Sequence, residues 1–194
     1  FKRGNPDFAK KEIINLFAFD KVVANFKDGT PIGTRKFNGE DTEKLKWDGD
    51  IKVGDDDFPE AFYEIFAQAS IPTPYSENAE LFKDENYKPN KLPRYIIGTE
   101  IVKYHVEIRE RKSKVAGDKV VTTKINFNWN VLDKAKNEVV LNYNNTIETR
   151  FRTYTYGWTD NNLETFKSGL VAFLESEDFG LLLDDKTNLV ASLT

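Results

Sequence analysis

Cysteine and methionine are both absent from the 194 residues, and histidine occurs once. Without cysteine there is no disulfide, no thiolate metal site and no cysteine nucleophile. A single histidine excludes a His-rich metal cluster and sends any Ser–His chemistry through His105. With no initiator Met, the chain reads as processed, and a leader bearing a lipid anchor is expected to precede Phe1. Long apolar runs are missing too. The longest resemble Phe17-Ala18-Phe19 and Gly180-Leu181-Leu182-Leu183, far short of the roughly 18 residues of a membrane span. Positive charge is in deficit, 28 Lys+Arg against 32 Asp+Glu for a formal net charge of −4, which argues against a nucleic-acid partner. The one dense basic run, Arg109-Glu110-Arg111-Lys112-Ser113-Lys114, contains an acid and reads as a solvated hairpin tip.

Aromatic bulk is what the chain does have: 15 Phe, 8 Tyr and 3 Trp compensate for a slightly low hydrophobic share of 39%. A chain of this length buries roughly 70% of its unfolded surface, enough for one core without staples. Residues 1–194 are therefore expected to form a single domain, with a Gly- and Asp-rich segment at 27–57 and a Pro-rich connection at 72–93.

Residues Glu12 to Val23 are β-branched and aromatic, which favours a buried strand. Turn signals at Asp28-Gly29, Asn38-Gly39 and Asp48-Gly49 predict irregular structure or small hairpins around Ile32, Phe37, Leu45 and Trp47. A helix follows, begun by the box Asp57/Glu60 with Pro59 in its first turn, and ended by Pro72 and Pro74. Phe58, Phe62, Ile65, Phe66 and Ala69 give it one apolar face. Three long alternating runs then predict an antiparallel meander with one wet face. Inward are Val102, Tyr104, Val106 and Ile108, then Ile125, Phe127, Trp129 and Val131, then Val139, Leu141, Tyr143, Ile147 and Phe151. An N-x-x-E box at Asn161/Glu164 starts a closing helix whose stripe is Leu163, Phe166, Leu170, Phe173 and Leu174, and a short helix near Asp178–Leu183 ends the pattern. The fold class is α+β: an antiparallel sheet, one N-terminal strand plus the meander, backed by two helices on one face.

Chemistry-bearing groups are few. His105 falls on the wet side of its strand beside Lys103 and Glu107, without a G-x-S-x-G elbow. The acidic stretch Asp48 to Asp57 fails the calcium-loop pattern, since the third ligand position is Lys52 or Gly54 and the last is Pro59 or Ala61. No phosphate-binding glycine motif occurs, and no cofactor is implied. The unusual surface feature is a row of amides, Asn126, Asn128, Asn130, Asn142 and Asn144, on adjacent strands. Asn is a poor strand former, so five of them invite either a binding reading or that of a solubilising face.

Ile125-Asn-Phe-Asn-Trp129-Asn-Val-Leu-Asp133, with Glu138-Val-Val-Leu141 and the helix running to Asp184, resembles a pattern of bacterial envelope proteins, many from Bacteroidetes. There a strand ending W-x-apolar-apolar-D precedes a turn, a second strand and a closing helix, as in CsgG-like, TolB N-terminal and auxiliary lipoprotein domains. The resemblance implies an exported, envelope-located binding or assembly module with no catalytic residues. Its implied partner is an envelope protein or a glycan such as peptidoglycan, with membrane contact only through the anchor. The competing expectation is a hydrolase of envelope glycans that uses carboxylates of the 48–57 loop, Asp55 and Asp57 among them, with or without His105.

Overall fold

The computed structural model describes residues 17–47, 57–71, 73, 93–112, 118–153 and 160–184. Its elements run β1 (Phe17–Ala24), β2 (Pro31–Phe37), β3 (Glu40–Lys46), α1 (Asp57–Gln68), β4 (Tyr95–Glu110), β5 (Lys119–Asp133), β6 (Glu138–Thr153), α2 (Asp160–Leu174) and α3 (Glu177–Asp184). The α+β class and the β4–β5–β6 meander stand as the alternation implies. Residues 12–16 of the first expected strand, and nearly all of the 72–93 connection, lie outside the described residues.

The sheet has six strands and is mixed, where an antiparallel sheet of four was expected. Its order is β3-β2-β4-β5-β6, and β1 also pairs with β4. Both β1 and β2 run parallel to β4, β1 along Tyr95–Ile101 and β2 along Val106–Glu110. A parallel partner requires a crossover, and α1 lies between these strands and β4 in the chain. Within the Gly- and Asp-rich segment, Asn38 (φ 51°) and Gly39 (φ 93°) make the tight turn of the β2–β3 hairpin. Gly33 lets β2 dock, because a Cβ there would sit 1.7 Å from the Val106 carbonyl oxygen.

Two bulges overturn parts of the expected face assignment. The β4–β5 register slips between Ile101 and Lys103, so Tyr95, Ile97, Thr99 and Ile101 face inward before the slip, and Tyr104, Val106 and Ile108 after it. Val102 is the extra residue and is 42% exposed rather than inward. On β6, Val131 pairs with Leu141 but Leu132 with Val139, which turns Val139 out to 57% exposure. Phe151 keeps its side but lies at the sheet margin, 45% exposed.

Three helices cover the inner face. Phe58, Phe62 and Phe66 of α1 and Phe166 and Phe173 of α2 close over Phe17, Tyr95, Phe127 and Trp129, all of them buried. The Trp129 ring stacks on Phe173 at 5.3 Å and 10°. Its Nε1 donates to Asn145 Oδ1 (3.2 Å), while Asn145 Nδ2 donates to the Gly169 carbonyl (2.8 Å). Phe179 of α3 fills the gap beside Phe17 and Phe173. Burying each such ring is worth roughly 1.5–3 kcal/mol.

Two helix-terminus expectations need revision. Ser70 (φ 58°) and the bond from Ile71 N to Phe66 O close α1 before Pro72 is reached. Asn161 does not cap α2. It is buried, donates from Nδ2 to Thr123 Oγ1 (2.8 Å) and accepts from Thr149 Oγ1 (3.0 Å), while Glu164 turns toward Lys167 (3.9 Å).

Candidate functional site

The face of β4–β6 away from the helices carries the amide row, and all five candidate residues meet there. Cross-strand register sets Asn126 opposite Thr146, Asn128 opposite Asn144, and Asn130 opposite Asn142. Two of these pairs bond directly: Asn126 Nδ2 donates to Thr146 Oγ1 (2.7 Å), and Asn142 Nδ2 to Asn130 Oδ1 (2.7 Å). Asn130 Nδ2 also reaches the Asn128 carbonyl at 3.4 Å. The middle pair behaves differently. Asn128 Oδ1 is enclosed by its neighbours and accepts no hydrogen bond. An acceptor held in this way costs free energy until a donor reaches it.

Register on the other side of β5 brings in groups that the amide row did not flag. Glu100 of β4 is opposite Asn128, and Gly98 is opposite Asn130. Glu100 Oε1 accepts from Asn25 Nδ2 at 3.3 Å. The empty Cβ position of Gly98 lies 3.7 Å from Asp20 Oδ2 and 3.5 Å from the Lys21 carbonyl, so the bulge of β1 packs closely against the Gly98 backbone. The site therefore runs from Asp20 across Gly98 and Glu100 to Asn128 and Asn144. A glycine inside a strand was the one sequence signal for this close approach. This strip is rich in acceptors, with the carboxylates of Asp20 and Glu100 beside the enclosed Asn128 Oδ1, and suits a ligand that brings N–H or O–H donors. The outer faces of β4, β5 and β6 present no Phe, Tyr or Trp on which a sugar ring could stack.

Of the residues of the hydrolytic alternative, Asp57 and His105 do not converge. His105 projects from the outer face of β4, opposite Lys124, with no carboxylate at ion-pair distance among the described residues. Asp57 opens α1 on the inner side, so the sheet separates it from His105. Asp55 lies outside the described residues, as does the rest of the acidic stretch before Asp57. Among the described residues no group of three His, Cys, Asp or Glu side chains could hold a metal ion, and no helix is long and apolar enough to cross a membrane.

Charged groups elsewhere serve the scaffold. Asp133, the acid of the W-x-apolar-apolar-D run, is fully buried and pairs with Arg94 (2.9 Å) while accepting from Ala135 N (2.9 Å). Burial works against its charge, but the bonds from Arg94 and the Ala135 amide outweigh it and hold the carboxyl below its usual range. Glu107 is also lowered, first by its bond to Lys36 at 2.7 Å, which fastens β2 to β4. The Tyr104 hydroxyl is pushed up by burial and donates to Asn162 Oδ1 (2.9 Å).

No family model matches the chain, and no curated protein matches it. Among solved structures it is similar to protein XCC0632 from Xanthomonas campestris, with 9% identity, a TM-score of 0.41, and coverage of 95% of this chain and 94% of that one. It is similar to lipoprotein GNA1162 from Neisseria meningitidis at 13% identity and a TM-score of 0.28, over 81% of this chain and 97% of the other. The hypothetical protein CT253 from Chlamydia trachomatis gives 13% identity and a TM-score of 0.35, over 85% and 98%. Bacterial proteins, a lipoprotein among them, are thus what the chain is similar to, and at these values the likeness assigns it no family.

Proposed function

We propose that this chain is a non-catalytic binding module of the bacterial envelope that docks a protein partner on its amide-lined sheet face. The observation that carries the reading is the central pair of the row. Asn126 bonds to Thr146 and Asn142 to Asn130, whereas Asn128 Oδ1, opposite Glu100, is enclosed and accepts no hydrogen bond from the described residues, so a partner that shifts this side chain and brings a donor would gain a bond. An acceptor-rich strip of this kind fits backbone N–H groups or Lys and Arg side chains of another protein. The absence of aromatic rings from the outer faces of β4–β6 favours a protein surface over a glycan. The envelope location rests on the Trp129–Asp133 pattern, and an anchor on a preceding leader would tether the module there.

Purified peptidoglycan sacculi separate this reading from its rivals. Incubation with the chain should release no soluble fragments, and the chain should not co-sediment with the sacculi. Release that disappears in Asp57→Asn or His105→Ala would establish the hydrolase instead. Co-sedimentation lost in Asn128→Ala would make the ligand a glycan.

A further inference from the structure

The two edges of the sheet are built differently. β3 is a seven-residue edge, Glu40-Asp41-Thr42-Glu43-Lys44-Leu45-Lys46, charged at five positions and almost entirely exposed. Charge on a short strand discourages pairing with another chain. β6 is less defended, with four charged residues in sixteen and a single bulge at Val140. It is sixteen residues long, contains no proline, and among the described residues nothing pairs with its far side. Its two exposed apolar side chains, Val139 and Phe151, stand near its ends at equal sequence distance from Asn145.

We propose that β6 pairs antiparallel with β6 of a second copy about a twofold axis at Asn145, joining two six-stranded sheets edge to edge. Asn144 of one copy then faces Thr146 of the other, Asn142 faces Glu148, and Tyr143 faces Ile147. Between Leu141 and Thr149 every side chain meets one on its own side of the sheet, and no like charges are opposed. Phe151 of each copy comes level with the bulge of the other on the inner side, next to Val140, while Val139 stays on the outer side of the seam.

The helical layer permits this pairing. α2 lies over β5 and β6, with Gly169 seated against Phe127 and Ile147, so its axis falls about half a strand spacing inside the edge. Pairing at ~4.8 Å between strands sets the two α2 axes about 10 Å apart, a separation at which helices pack. The side of α2 that faces α1 carries Lys167, which reaches Glu64 at 3.3 Å. By helical geometry, Ser168 and Ala172 lie on the opposite side, above the β6 edge. Small residues there leave room for the second helix. The joined sheet would also place both amide faces side by side on one surface.

Sedimentation velocity over a wide concentration range tests the proposal on the full chain. A monomer–dimer equilibrium is expected, with β6 amides exchanging more slowly as concentration rises. Ser168→Arg intrudes on the helix contact, and the double variant Asn144→Lys with Thr146→Lys opposes like charges across the axis. Each should weaken dimerisation by about tenfold or more while the circular-dichroism spectrum stays that of the folded chain. If one of these variants does not fold, the other variant and the amide exchange of the unmodified chain still decide. A monomer at every concentration, a dimer indifferent to both variants, or an assembly larger than a dimer would overturn it.

Discussion

Asp133 shows how one side chain serves a motif that reads from sequence as a signature. Its carboxylate is nearly closed to solvent (1% exposed) and is held by Arg94, itself only 11% exposed, and by the amide of Ala135. Removing one partner of such a pair leaves the other charge buried without compensation, at a cost of roughly 3–5 kcal/mol. Asp133→Asn should therefore lower stability by about 3 kcal/mol at neutral pH, measured by urea unfolding. The pH dependence has a defined sign. The folded pKa of Asp133 is depressed, so its contribution is complete above the unfolded value near 3.8 and is lost as pH falls below it. The gap between wild type and Asp133→Asn should accordingly close below about pH 4. A gap that stays constant down to pH 2 would mean that the ion pair adds nothing. Asn145 teaches a related lesson at the same scale. It sits among the residues of the amide row in sequence, yet it points inward and couples Trp129 to the Gly169 carbonyl.

Among the elements, the meander and the helix stripes were legible because periods of two and of 3.6 leave a mark in every residue. What a single-residue slip does was not. The bulges at Val102 and Val140 each reverse the facing of the residues beyond them, and nothing in the hydrophobicity of the two valines announces it. The parallel docking of β1 and β2 was equally hidden, since it depends on contacts far apart in the chain. Asn161 and Glu164 matched a capping box in spacing, but burial diverted Asn161 into bonds with Thr123 and Thr149. Gly33 carries the local test. An added methyl would collide with the Val106 backbone, so Gly33→Ala should cost about 2–3 kcal/mol through strain and shifted backbone. Hydrogen exchange should show β2, β3 and the second half of β4 losing protection while β5 and β6 keep theirs. Uniform loss across the sheet would mean that the β2–β3 hairpin is part of the central cooperative unit.

At the level of the whole molecule, the sheet divides the chain into two working sides. The inner side holds the aromatic core and the helices, and the outer side holds amides, paired charges and the acceptor strip beside Gly98. That division separates His105 from Asp57, and the proposed docking uses the outer face. The five amides were visible in sequence as alternating positions on two runs. Their inequality was not, because the unbonded, enclosed state of Asn128 Oδ1 follows from cross-strand register with Asn144 and Glu100. Docking on this face is tested most directly by photo-crosslinking in cells of the producing bacterium. A benzophenone amino acid would replace Asn144 on the outer face or Gln68 on α1. A discrete protein adduct is expected from position 144, and it should be lost when Asn128→Ala or Glu100→Ala is added. Adducts from position 68 alone, or adducts at 144 unchanged by both substitutions, would contradict a partner docked on the amide face.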